Sequence, residues 1–107
     1  MSQMAPRASR SAYLYSGSLI SGDFHLTFPT QAAMKIAAID CRARAFTVQM
    51  SEKAGDWRIV ARRRDFFPKS ECDRYAGRLR VIAQEHDGTY DWFRPDEPPA
   101  ELTSPLV

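Results

Sequence analysis

Three patterns in this sequence predict an α+β fold. Apolar residues alternate along four short stretches and recur at helical spacing along two longer ones. The two kinds follow one another as strand, helix, strand, strand, helix, strand. In the first stretch Phe24, Leu26 and Phe28 alternate with Asp23, His25 and Thr27, the pattern of a half-buried strand. Pro29 breaks it, and Thr30 stands where an N-cap is wanted. Met34, Ala37, Ala38, Cys41 and Ala45 then form a stripe of small residues suited to close packing on a sheet, while Asp40 and Arg44, one turn apart, can pair on the exposed side.

Phe46, Val48 and Met50 alternate with Thr47, Gln49 and Ser51 as a second strand. The turn Ala54-Gly55-Asp56 leads into Trp57, Ile59 and Ala61, and a loop this short joins two strands as an antiparallel hairpin. Phe66, Phe67 and Pro68 end it. Ser70, with Asp73 three residues on, reads as a variant capping box. Cys72, Tyr75, Leu79, Ile82 and His86 follow at helical spacing. Gly77 within that helix costs up to about 1 kcal/mol against alanine, which implies close packing there. Gly88 is a natural stop, and Thr89 to Arg94 make the last strand, with Tyr90 and Trp92 toward the core and Asp91 and Phe93 on the other face. This element order is that of a ferredoxin-like βαββαβ sandwich: a four-stranded antiparallel sheet with two helices on one face.

With 107 residues the chain has room for one domain, which can fold without disulfide or metal staples. Residues 1–20 read as a flexible basic arm, residues 21–94 as the domain, and residues 95–107, with four prolines, as a loose acidic tail. Two cysteines are too few for a disulfide scaffold, and both fall on the expected buried helix faces as reduced core residues. No apolar run reaches a membrane span and no secretory signal is visible, so a soluble, cytoplasmic protein is expected.

The formal net charge of +2 is unevenly spread. The domain holds thirteen basic against ten acidic side chains, and the tail holds three acids and no base. Twelve of the fifteen basic residues are arginine, a bias that suits bidentate contact with carboxylates or phosphates and that a GC-rich genome would also produce.

Catalytic and metal chemistry find little footing. The two histidines, His25 and His86, have no second ligand at metal spacing, the five glycines are scattered, and no nucleophile and base can be paired from sequence. The expectation is a non-enzymatic chain with no cofactor and no metal. Arg58, Arg62 and Arg64 instead fall on the sheet face away from the helices, near His25, Thr27 and Gln49. Such a face could hold single-stranded nucleic acid or an acidic protein segment, and a solvated charged surface is the plain alternative. The third strand lacks the interleaved aromatics that RNA-recognition sheets of this topology carry. A small dimeric enzyme with His25 at a pocket is a further alternative, and would need a closed apolar cavity.

Phe28-Pro29-Thr30 before an alanine-rich helix, Phe46-Thr47-Val48, the Trp57 strand, and Leu79, Ile82-Ala83 and Asp87-Gly88-Thr89-Tyr90-Asp91-Trp92 together resemble the regulator of ribonuclease activity B family, also called the ribonuclease E inhibitor family. The resemblance spans about 70 residues, and Tyr90-Asp91-Trp92 is its most specific part. Ala45 stands where the family usually has glycine, no glycine separates Asp91 from Trp92, and the domain is basic where well-known members are acidic. The resemblance implies a ferredoxin-like protein that binds another protein, a ribonuclease or its scaffold, and modulates RNA turnover. Arg58, Arg62, Arg64, Tyr90, Asp91 and Trp92 are the candidate binding residues, with a core role for Tyr90 and Trp92 as the alternative.

Overall fold

The computed structural model describes residues 19–96; the rest of the expected arm and tail lies outside the described residues. The elements are β1 (Leu19–Ile20), β2 (Gly22–Phe28), α1 (Gln31–Ala43), β3 (Phe46–Lys53), β4 (Asp56–Arg63), β5 (Phe67–Pro68), a 3-10 turn (Lys69–Glu71), α2 (Cys72–Glu85) and β6 (Thr89–Pro95). This is an α+β fold whose main sheet has the order β3-β4-β2-β6, with every neighbouring pair antiparallel. Leu19 and Ile20, expected in the arm, pair with Pro68 and Phe67 in a separate two-stranded ladder.

Alternation decides which sheet face is covered. Phe24, Leu26 and Phe28 of β2 and Ile59 and Ala61 of β4 are buried together with Met34, Ala37, Ala38 and Cys41 of α1 and Ala76, Leu79, Ile82 and Ala83 of α2. One apolar cluster thus holds both helices to one sheet face, each large side chain contributing about 1.5–3 kcal/mol by leaving water. The small residues of the α1 stripe let its backbone come close to the sheet.

Local chemistry sets the element ends. The Thr30 hydroxyl accepts from the Ala33 amide at 3.1 Å, as an N-cap should. After α1, Ala45 takes φ +70°, a left-handed conformation that costs an alanine roughly 1–2 kcal/mol. The β3–β4 hairpin closes on Ala54 and Gly55, both at positive φ (55° and 85°), which matches the right-handed twist of the strands. At the end of α2 the Gly88 amide reaches the Ala83 carbonyl at 2.7 Å and the Asp87 amide reaches Gln84 at 3.3 Å, a Schellman pattern with Asp87 in the left-handed position.

Three local expectations need correction. Ser70 makes no capping bond: it lies in the 3-10 turn, and α2 begins after Glu71 with no side-chain cap. Gly77 is not a close-packing site, since a Cβ there would meet nothing within 4 Å. Asp40 turns from Arg44 to α2, where its carboxylate lies 2.7 Å from His86 Nε2 and ties the two helices together. Close packing belongs to Gly88 instead, where a Cβ would strike the Phe28 ring and sit 2.7 Å from the Thr27 carbonyl.

The two glycines therefore respond oppositely to the same change. Gly77→Ala should stabilise the chain by up to about 1 kcal/mol, and Gly88→Ala should destabilise it by about 1–3 kcal/mol. Urea unfolding midpoints with unchanged slopes check both, and a shift of the same sign in both variants would contradict the packing described.

Candidate binding surface

The uncovered face of the main sheet is ordered in cross-strand rows. Thr47, Arg62, Asp23 and Arg94 form one row, and Gln49, Val60, His25 and Trp92 the next. Ser51, Arg58 and Thr27 continue the pattern toward the far end of the strands.

The register of β6 is broken where this surface is built. Leu26 pairs with Tyr90 while the preceding His25 pairs with Trp92, so Asp91 is an extra residue in a bulge. The expectation of Tyr90 and Trp92 in the core with Phe93 outside is corrected accordingly. Tyr90 and Phe93 pack against the core, Phe93 with its ring 4.6 Å from that of Phe24. Trp92 lies on the open face, 53% exposed, stacked on His25 at 5.0 Å with the rings 23° from parallel. Asp91 stays outside as expected and accepts from the Thr27 hydroxyl at 2.6 Å. Gly22 makes the swap feasible, because a Cβ there would lie 2.6 Å from the Phe93 ring.

Arg58 shares a cleft of about 160 Å³ with His25, Leu26, Thr27, Asp91 and Trp92. Its nearest acid is Asp56, at 3.7 Å. Arg58 Nε and His25 Nε2 are both shielded from solvent and have no hydrogen-bond partner among the described residues. A polar group reaching this cleft would meet an Arg58 donor and a His25 ring nitrogen that the fold itself leaves unsatisfied.

Arg62 is differently placed. Its guanidinium donates to Asp23 at 2.6 Å and to both oxygens of Asp96 at 2.6 and 3.2 Å. Those bonds, the one to Asp96 first, hold Arg62 firmly protonated. The Arg62 bond, seconded by one from Ser21, holds the Asp96 carboxyl below the usual aspartate range. Arg64 does not join this face as expected. It lies past the end of β4 and lines a separate groove with Arg42, Arg63 and Phe66. The structure thus gathers Arg58, Asp91 and Trp92, neutralises Arg62, and removes Arg64 and Tyr90 from the open face.

Other reactive groups serve packing. Burial, followed by the nearby Asp40, pushes the Cys41 thiol up to about 11, and burial raises Cys72 as well, so neither is activated as a nucleophile. Asp40, Glu85 and His86 offer three ligand atoms within 4.8 Å of one another, but His86 Nε2 is already bonded to Asp40 in the inter-helix contact. No helix among the described residues is long and apolar enough to cross a membrane. No protein-family model matches the chain, and no curated protein sequence is significantly similar to it.

Two predictions follow from these environments. A carboxyl whose folded pKa is depressed contributes stability above its unfolded pKa and loses that contribution as pH falls through the folded value. Acidification below about pH 4 should therefore cost the native chain more stability than Asp96→Asn, as urea midpoints across that range would register. Iodoacetamide should label Cys41 in the folded chain far more slowly than in urea at pH 8; equal rates would exclude the buried thiol.

Proposed function

We propose that the chain is a non-enzymatic cytoplasmic adaptor that binds another protein through the His25–Trp92–Arg58 corner of its open sheet face. On this reading it modulates RNA turnover in the manner of the ribonuclease E inhibitor family. The observation that carries the binding part is Trp92, a large aromatic held on the open face by stacking on His25, beside an arginine with an unmet donor. Tryptophan and arginine are the residues on which interface energy concentrates when a partner excludes water from them. Catalysis has less support: Asp91 is bonded to Thr27, and His25 Nε2 has no hydrogen-bond partner among the described residues.

The strand order β3-β4-β2-β6 with both helices on one face supports the ferredoxin-like reading. The ribonuclease part rests on the sequence resemblance. Two backbone features accord with it: Ala45 takes a left-handed φ where the family usually has glycine, and the β6 bulge falls at Asp91, beside the position of the other missing glycine.

The test is a binding and cleavage assay with ribonuclease E and its scaffold region. Binding should weaken at least tenfold in Trp92→Ala and in Arg58→Ala, while Arg64→Ala, which lies off this face, should change it little. Absence of binding together with unchanged RNA cleavage would sink the ribonuclease assignment. Binding of a different protein with the same Trp92 dependence would keep the adaptor and change its target.

A further inference from the structure

Arg62, Arg63 and Arg64 are adjacent in sequence but have three different environments. Arg62 is on the open face between two acids. Arg63, one residue on, takes the opposite face. Its guanidinium lies 4.7 Å over the Tyr75 ring and 5.2 Å over that of Phe46, and donates to the Arg44 carbonyl at 2.9 Å. Arg64 leaves the strand and, with Arg42 from the last turn of α1, lines the same side of the molecule. The result is a groove of about 560 Å³ at the end of the sheet.

Two properties of this groove call for a ligand of definite chemistry. The first is uncompensated charge. Arg42, Arg63 and Arg64 have no ion-pair partner among the described residues, and Asp65 is the one acid among the lining residues. The rings beneath Arg63 fix its position without reducing its charge. The second is Phe66, which is 66% exposed on the groove's rim while its neighbour Phe67 is buried in the core. An exposed flat ring contributes little to folding and offers a stacking surface.

From these we infer that the groove binds single-stranded nucleic acid, with Arg42, Arg63 and Arg64 on backbone phosphates and Phe66 as a platform for a base. Guanidinium groups match phosphate oxygens in bidentate geometry, and base–aromatic stacking tolerates any sequence. At about 560 Å³ the groove is within the range of sites that hold small ligands. A duplex presents only phosphates to it and would leave Phe66 unused. The nucleic-acid reading of the arginine run thereby moves from the open sheet face, where Arg62 is neutralised, to the sheet's end. The inference is independent of the protein-binding reading, since it shares no residue with the Trp92 corner.

The experiment is fluorescence anisotropy of the full chain with a labelled single-stranded RNA of about 12 nucleotides, over a range of salt concentrations. Three phosphate contacts give a log–log salt slope near −2, so binding should weaken about fifteenfold for a fourfold rise in salt. The Arg42→Ala/Arg64→Ala double variant should cut that slope by more than half, and Phe66→Ala should weaken binding roughly tenfold. Trp92→Ala should leave it unchanged. Arg42, Arg64 and Phe66 are exposed, and unaltered thermal melting would show that these variants remain folded. No binding at low salt, a slope indifferent to the double variant, or equal affinity for duplex RNA would overturn the inference. Equal or tighter binding of a polyglutamate peptide would also overturn it, assigning the groove to an acidic protein segment.

Discussion

The extra residue in β6 at Asp91 governs more of this molecule than any single contact. Strict alternation would send Tyr90 and Trp92 inward and leave Phe93 on the open face. With one residue bulged, Tyr90 stays inward, Trp92 emerges beside His25, and Phe93 fills the core against Phe24. The effect continues down the strand: Arg94 comes opposite Asp23, Pro95 opposite Gly22, and the Asp96 amide reaches the Ser21 carbonyl at 2.9 Å. That last bond sets Asp96 where its carboxylate can meet Arg62. Core composition, exposed tryptophan and charge clamp are thus three consequences of one register shift. Gly22 is its precondition, because no side chain at that position could coexist with the inward Phe93 ring.

Much of the fold was legible because it depends on local rules. The periodicities placed all four main strands and both helices, Thr30 served as the expected cap, and the Ala54-Gly55 turn closed the hairpin. The failures share a different cause. A bulge adds one residue without changing composition, so the alternation of β6 alone does not show that Trp92 and Phe93 exchange places; the glycine missing between Asp91 and Trp92 is its one mark in the sequence. Gly77 and Gly88 look alike in sequence, and only the approach of Phe28 distinguishes the glycine that is sterically required. Asp40 had a suitable partner one turn away in Arg44 but paired with His86, whose proximity is a product of helix packing. The two-residue ladder of β1 and β5 is too short to have a period at all.

The candidate surfaces divide along the same line. That alternate β4 arginines would share the open face could be read from strand parity, and Arg58 and Arg62 do share it. Whether each was free depended on residues far away in sequence: Asp96 cancels Arg62, and the bulge brings Trp92 beside Arg58. The basic groove had no local signature, since its lining comes from the end of α1, the start of β3, the segment after β4 and the first turn of α2. Its one sequence trace was the arginine run, which parity alone divides between the two faces.

That division bears on why these positions hold arginine rather than lysine. A GC-rich genome would account for a general excess of arginine, but not for what two of these side chains do. Arg62 meets two carboxylates at once, using one nitrogen for Asp23 and both for Asp96. Arg63 lies over two rings while still donating to a carbonyl. An ammonium is a compact point charge with no plane to lay on a ring and no pair of fixed nitrogens to span both oxygens of Asp96. Lysine at either position would keep the charge and lose the geometry: Asp96 would lose its two-nitrogen contact, and the groove would lose the cation that is fixed in place before any ligand arrives. A charge already fixed costs less conformational entropy when a ligand binds, so the rings beneath Arg63 prepare it for an anion in a way that the arginine count alone does not.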